Sequence, residues 1–333
     1  MALDLHIRTE RLPLRAPFRI SRGVKTHAEV VVAELRAGGR LGLGECVPYP
    51  RYGETAGTVV EQLMAAAARL AAGEPAQALI AALPPGAARN ALDCAAWDLT
   101  ARQGLGDVAS RLGRLTPGPL ATAVTISLDS VDAMRAAAAA VAGAPLLKVK
   151  LDDEEPAARL AAVAEAAPGA KLIVDPNKGW TPAILEAMAE PISRLPVALV
   201  EQPLPDGDDA ALAGLNYPAP ICADESAHTA DDVARLADRY QMVNVKLDKA
   251  GGLTAALAMA RRARELGLGV LAGCMVSSSL SIAPALLVGA EADFADLDGP
   301  WWLTEDRAGG CRFEQGVLYP PQLGFWGAPG VRP

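Results

Sequence analysis

Lys150, Asp175, Glu201, Asp224 and Lys246 recur along the second half of this chain at intervals of 25, 26, 23 and 22 residues. Each ends or closely follows a short apolar run: LLKVK, LIVD, ALVE, PICAD and MVNVK. Acids can hold a cation, and amines can move protons. The interval is about what one strand, one helix and two loops need in a parallel α/β unit. The period extends both ways, to Thr125 before Lys150 and to Cys274 and Asp296 after Lys246. That makes eight strand ends. Eight parallel strands close a TIM-type barrel, whose chemistry sits at the strand C-termini. Helical patterns such as EPAARLAAVAEAA and LTAALAMARRARELG fill the gaps.

Asp175, Glu201 and Asp224 would end three neighbouring strands. Three oxygen ligands side by side suit a hard cation, most naturally Mg²⁺. A single acid at such a position reads equally as a cap for the following helix. Three in succession, with Asn177 and Glu225 beside them, point to a metal site. Lys148 and Lys150 share one strand face because one residue separates them. An isolated KVK reads as a solvated pair. Within this period it faces the barrel interior, where each ammonium would lower the other's pKa toward that of a useful base. Lys246 lies on the opposite side of the ring. Two opposed lysines suit removal of a proton from one face of a carbon and its return to the other. A cation between them would stabilise the enediolate. Asp296 and Asp298, again on one face, could bind a substrate ammonium. Asp298 taken alone also reads as a helix-capping acid before the Gly-Pro turn.

The elements that must carry these groups fall into two parts. Residues 118–312 follow the strand–helix period, whereas residues 1–117 do not. The latter show two or three strands (LDLHIRTERLPL, EVVVAELRAGG, RLGLGEC) and then alanine-rich helices, an α+β pattern. Residues 20–27, ISRGVKTH, read as a loop that could overhang the barrel mouth. The tail, residues 313–333, reads as returning to the first domain. The chain of 333 residues is 51% apolar and carries a net charge of −8, with its basic residues scattered. That balance excludes a nucleic-acid surface. Five cysteines without close spacing exclude a zinc site or disulfide framework and fit a cytoplasmic protein. Each, Cys222 included, reads as a small apolar filler. No signal peptide is evident. The uncharged run at residues 266–290 is interrupted by Ser277, Ser278, Ser279, Ser281, Pro284 and four glycines. It reads as a buried strand, a loop and a core helix, with no role for a membrane.

The stretches PYPRYGE, GAARNALDCAAWDL, LLKVKLD, IVDPN, EQPLP, ICADES, MVNVKLDKAGGL, GCM and FADLDGP resemble the muconate-lactonizing branch of the enolase superfamily. They are most similar to the bacterial dipeptide epimerases within it. The resemblance implies a (β/α)7β or (β/α)8 barrel with an N-terminal α+β capping domain completed by the C-terminal tail. It implies Mg²⁺ on Asp175, Glu201 and Asp224, acid/base roles for Lys150 and Lys246, and support from Lys148. It implies a small dipeptide substrate held by Asp296 and Asp298, with L-Ala-D/L-Glu the first candidate and murein peptides its setting. Thr125, Lys25 and Arg22 would complete the binding site, in a chain that could form a homo-oligomer. Three positions depart from the family pattern: Pro176 where alanine is usual, Ser277 where an acid is common, and Lys25 where an arginine meets the glutamate side chain. Lysine keeps that charge but forms no bidentate fork. An o-succinylbenzoate synthase or cycloisomerase-type lyase would use the same lysines and metal without needing Asp296 and Asp298. A non-catalytic metal- or peptide-binding barrel would need neither lysine.

Overall fold

Alternation along the second-half strands sorts side chains to two destinations. The computed structural model describes residues 3–21 and 23–329. Eight parallel strands run in sequence order around one sheet. They are β5 (Val124–Ile126), β6 (Leu146–Lys150), β7 (Lys171–Asp175), β8 (Val197–Glu201), β9 (Ile221–Ala223), β10 (Met242–Lys246), β11 (Gly269–Gly273) and β12 (Phe294–Asp296). The ring is closed by Ala123 N, which donates to Ala295 O at 2.8 Å, and by Leu297 N, which donates to Thr122 Oγ1 at 2.7 Å. Outward residues such as Leu147, Val149, Leu172, Val174, Val243 and Val245 pack into the main core. Inward residues of the lower layer form a separate apolar plug: Ala123, Leu146, Ile173, Leu199, Cys222, Met242, Leu271 and Phe294. Cys222 is therefore filler in that floor. One step up the strands the same face carries the polar groups, except on β11, where Gly273 stands.

The crossover helices are α5 (Val131–Ala140), α6 (Pro156–Ala166), α7 (Pro182–Arg194), α8 (Ala230–Leu236), α9 (Leu247–Ala250), α10 (Leu253–Glu265) and α11 (Ser279–Gly289). Between β8 and β9 there is only a 3-10 turn, Asp209–Leu212, and after β12 only another, Gly299–Trp302. Seven crossovers thus join the eight strands, six through α-helix and one through the 3-10 turn after β8, which is a (β/α)7β plan with one helix reduced. Residues 266–290 resolve into β11, a loop and the buried α11. Among the described residues, no helix is long and apolar enough to cross a membrane.

The first part of the chain is an antiparallel sheet of β1 (Asp4–Ile20), β2 (Gly23–Ala37) and β3 (Arg40–Cys46). Helices α1 (Ala56–Ala71), α2 (Ala76–Ala82), α3 (Ala87–Arg102) and α4 (Val108–Arg111) follow. Backbone contact between β3 and α3 needs Gly42 and Gly44, where a Cβ would fall within about 2 Å of Ala95 O and Ala91 O. Of the expected loop at residues 20–27, Ile20 ends β1 and residues 23–27 already belong to β2: Phe18 pairs with Lys25 and Ile20 with Gly23. Hairpin pairing satisfies part of the backbone here, and the barrel satisfies more of it: Leu128 N donates to Arg19 O at 3.1 Å. This tip reaches the barrel: Arg19 N donates to Ser127 Oγ at 2.6 Å, and Ser21 Oγ donates to Pro176 O at 3.1 Å.

The tail adds β13 (Arg312–Glu314) and β14 (Val317–Tyr319), which pair beside β4 (Leu120–Ala121). It then reaches α3 and β3. Gly327 N donates to Asp98 Oδ1 at 2.7 Å, and Trp326 Nε1 donates to Leu43 O at 3.0 Å.

The joint between cap and barrel is polar and buried. Asp93 of α3 accepts from Thr254 N at 2.9 Å, capping α10 from another domain. Asp248 of α9 accepts from Val47 N at 3.0 Å and Asn90 Nδ2 at 2.8 Å. Burial, with Glu54 and Glu45 nearby, raises Asp248 to about 7 against those two hydrogen bonds. A carboxyl raised on folding contributes stability that is complete below its ordinary pKa near 4 and lost as pH rises through 7. Asp248→Asn keeps the acceptor and removes the titration. Its stability should therefore gain on the parent's between pH 4 and 8, by on the order of 4 kcal/mol at full ionisation, read as a melting-temperature difference that widens with pH. Parallel melting curves with no pH-dependent difference would show that Asp248 stays ionised throughout.

Candidate active site

The polar upper layer of the barrel interior is built strand by strand. Lys148 and Lys150 come from β6, Asp175 from β7, Glu201 from β8, Asn244 and Lys246 from β10, and Asp296 from β12. Asp224 and Cys274 each follow their strand by one residue. All of these except Cys274 are buried. β6 and β10 lie four places apart in the ring of eight, so Lys150 and Lys246 face each other across it. A cavity of about 520 Å³ opens above this layer. Lys148, Lys150, Lys246, Asp224, Asp296, Asp298 and Thr125 line its floor, and Phe18, Ile20, Val24, Lys25 and Tyr49 of the cap line its lid.

The charges are tightly paired. Lys150 Nζ donates to Asp175 Oδ2 at 2.6 Å, and Lys246 Nζ donates to Asp224 Oδ2 at 2.8 Å. Lys148 Nζ lies 3.0 Å from Asp175 Oδ2, 2.7 Å from Glu201 Oε2 and 2.8 Å from Asp296 Oδ2. Mutual repulsion within the KVK pair does not lower Lys148. Burial pushes it down, but Asp175, Asp296 and Glu201 outweigh burial and hold it well above the ordinary lysine value. Lys246 is likewise raised by Asp224 and Glu201 against burial. Asp175 falls to about 2 because Lys148 and Lys150 overcome its desolvation. Glu201 rises to about 7 through burial and the neighbouring Asp175 charge.

Asp298 Oδ2 accepts from Thr125 N at 2.8 Å and from Trp302 Nε1 at 3.2 Å. Thr125 thus meets Asp298 through both its backbone and its side chain. Burial and Asp296 raise Asp298 to about 6. Lys25 sits at the lip with its ammonium 5.4 Å from the Tyr49 ring centroid. Partial burial first, then the Lys246 and Lys150 charges, push its pKa down. Arg22 lies outside the described residues. Ser277 is buried with its hydroxyl unpartnered among the described residues.

Three further groups were not singled out by sequence reasoning. Asn244 Nδ2 donates to Glu201 Oε1 at 2.8 Å. Gly273 makes room for it, since a Cβ there would lie 2.2 Å from Asn244 Oδ1. Alternation with Lys246 in MVNVK was the available signal. Lys249 Nζ donates to Asp224 Oδ1 at 2.7 Å and to Asp224 O at 2.6 Å. Gln202 Oε1 accepts from Asp224 N at 2.9 Å, tying the β8 and β9 ends together. No local pattern marks either residue.

The donor set fits a hard divalent cation. Three buried carboxylates come from consecutive strands, and among the described residues Glu201 Oε2 has no hydrogen-bond partner, although the Lys148 ammonium lies 2.7 Å away. The Lys148 ammonium is itself a cation standing between Asp175 and Glu201. Among the described residues, no three acidic, histidine or cysteine side chains already converge to chelating range, since ammonium groups lie among the carboxylates.

Two family models cover the chain. One, described as mandelate racemase/muconate lactonizing enzyme, N-terminal domain, spans residues 2–113. The other, enolase C-terminal domain-like, spans residues 132–330. The chain belongs to the mandelate racemase/muconate lactonizing enzyme family. It is 46% identical to the L-Ala-D/L-Glu epimerase of Escherichia coli K12, over 93% of this chain and 97% of the relative. It is 44% identical to an N-acetyl-D-glutamate racemase of Pseudoalteromonas, over 86% and 91%. Among solved structures, an enolase family member from Agrobacterium tumefaciens, with homology to dipeptide epimerases, superposes with a TM-score of 0.94 at 48% identity. That match covers 98% of this chain and 100% of the other, which holds sodium and L-Ala-L-Glu. A Methylococcus capsulatus dipeptide epimerase complexed with Mg and L-Arg-D-Lys superposes at 0.85 with 32% identity, over 97% and 98%.

Proposed function

We propose that the chain is an isomerase, an Mg²⁺-dependent dipeptide epimerase that inverts the α-carbon of the second residue, with L-Ala-D/L-Glu the leading substrate. The observation that carries this is the pair of lysines on opposed strands, with Asp296 and Asp298 in the floor of the same cavity. Lys150 and Lys246 are the acid/base pair. One, as the amine, takes the α-proton from one face. The other, as the ammonium, delivers its own proton to the opposite face. Protons balance, and the configuration inverts. Asp175, Glu201 and Asp224 would hold the cation, which supplies positive charge to the substrate carboxylate as it gains electron density. Lys148 supports that cluster.

Asp296 and Asp298 bind the α-ammonium, with Thr125 orienting Asp298. Lys25, assisted by Arg22, favours an acidic second side chain. The division of labour assigns substrate enclosure to a cap of residues 1–117 and chemistry to residues 118–312, with residues 313–333 locking the two. A cytoplasmic location fits five free cysteines.

An N-acyl amino acid is the reading that the Pseudoalteromonas relative favours. The buried carboxylate pair separates the two, because an acetylated nitrogen offers Asp296 and Asp298 no ammonium. In D₂O with Mg²⁺, L-Ala-L-Glu should lose its glutamyl α-proton signal while L-Ala-D-Glu appears. N-acetylglutamate should react with kcat/KM lower by about 100-fold or more. If N-acetylglutamate outperforms the dipeptide, the assignment of the carboxylate pair is wrong.

A further inference from the structure

One wall of the cavity belongs to the barrel but is held from the cap. Met275 and Val276, in the loop between β11 and α11, line the cavity. Behind them they pack against a small core containing Leu12, Leu14, Ala28, Val30 and Val47 of the cap. The loop is then pinned at Ser278. Ser278 N donates to Glu45 Oε1 at 2.8 Å, and Ser278 Oγ donates to Glu45 Oε2. Glu45 lies at the end of β3 and is 1% exposed. Arg307 closes the cluster. Its Nη2 donates to Glu45 Oε2 at 2.6 Å and to Glu10 Oε2 at 2.8 Å, and its Nε donates to Ser278 Oγ at 2.6 Å.

Four segments meet here: β1, β3, the loop after β11 and the segment after the last barrel strand. A buried carboxylate satisfied by charge-assisted hydrogen bonds from two separate segments is rigid and costly to break. None of Glu45, Ser278 and Arg307 lines the cavity. The proton-transferring lysines are anchored independently, on β6 and β10.

We propose that the Glu45–Ser278–Arg307 cluster is a latch that positions the Met275–Val276 wall against the cap, and so sets how tightly and selectively the cavity holds the substrate side chain. The latch acts through that wall, so these are positioning residues. The functional half of the proposal rests on the reading of the cavity as a dipeptide site.

The test uses Arg307→Met, the conservative Arg307→Lys, and Ser278→Ala, which removes no charge and carries the test should R307M not fold. Steady-state epimerisation of L-Ala-L-Glu should show KM raised about ten-fold or more in R307M, with kcat within about three-fold of the parent. R307K, which keeps the charge without the fork, should fall between the two. Selectivity for Ala-Glu over Ala-Gln should fall in R307M. Hydrogen–deuterium exchange of the loop at residues 274–279 should quicken about ten-fold in R307M and S278A, while β6 and β10 keep parental protection. Unchanged exchange in that loop overturns the latch, whatever the substrate proves to be. A kcat that falls as far as kcat/KM overturns the positioning role. Faster loop exchange in a protein that epimerises no dipeptide upholds the latch and fails the functional reading instead.

Discussion

Replacing Lys150 with alanine stops interconversion of L,L and L,D dipeptides in both directions, and replacing Lys246 does the same. This is the expected result because inversion needs a proton removed from one face and a proton supplied to the other. β6 and β10 supply one lysine to each. The expected loss is about 10³-fold or more, at the upper end of what a positioned acid/base contributes. The single variants should nonetheless differ from a dead protein. The remaining lysine still faces the α-hydrogen of one epimer. Each variant should therefore retain slow exchange of one epimer with solvent deuterium, with retention of configuration, and the two should favour opposite epimers. Proton NMR of both epimers with both variants measures this directly. Near-parental interconversion in either variant would rule out the two-lysine mechanism.

Glu201→Gln should lose divalent-cation binding while keeping the fold. Glu201 is buried and raised to about 7, so its neutral form is already tolerated where it stands. The amide keeps the shape and an acceptor for Asn244 Nδ2. What it loses is the charge of the middle carboxylate of three. Thermal melting separates the two consequences. The parent's melting temperature should rise with added Mg²⁺, because a ligand that binds only the folded state stabilises it by mass action. That of the variant should start near the parent's and move little. Calorimetric titration should show Mg²⁺ affinity reduced by about 100-fold or more, since a hard cation relies on anionic oxygen. Equal Mg²⁺-induced shifts in the two proteins would remove Glu201 from the ligand set, as would full activity in excess chelator.

The barrel was legible because its signal is local. An apolar run ending in a charged residue reports a buried strand and its C-terminal end together, and the alternation of LLKVK and MVNVK assigns faces without knowledge of any neighbour. The ring of eight then follows from the period. The hairpin tip at residues 20–27 was misread for the same reason. Ser21, Gly23 and Thr26 look like loop residues locally, whereas strand pairing between Phe18 and Lys25 and the seat of Arg19 and Ser21 on Ser127 and Pro176 are long-range facts.

The amino-acid sequence by itself determined which groups reach the barrel mouth, from which strands, and that two lysines oppose each other across it. These depend on residue type, on alternation and on strand count. Only the tertiary structure decided what each group meets there. The KVK lysines looked like a mutually repelling pair, yet Lys148 is raised because three carboxylates from β7, β8 and β12 converge on it. Lys249 sits in a short helix beyond its strand and turns back onto Asp224. Glu45 reaches across 233 positions of chain to fix the wall of the cavity at Ser278. A charge's environment is a sum over neighbours in space, and in a closed barrel most of those neighbours are remote in sequence.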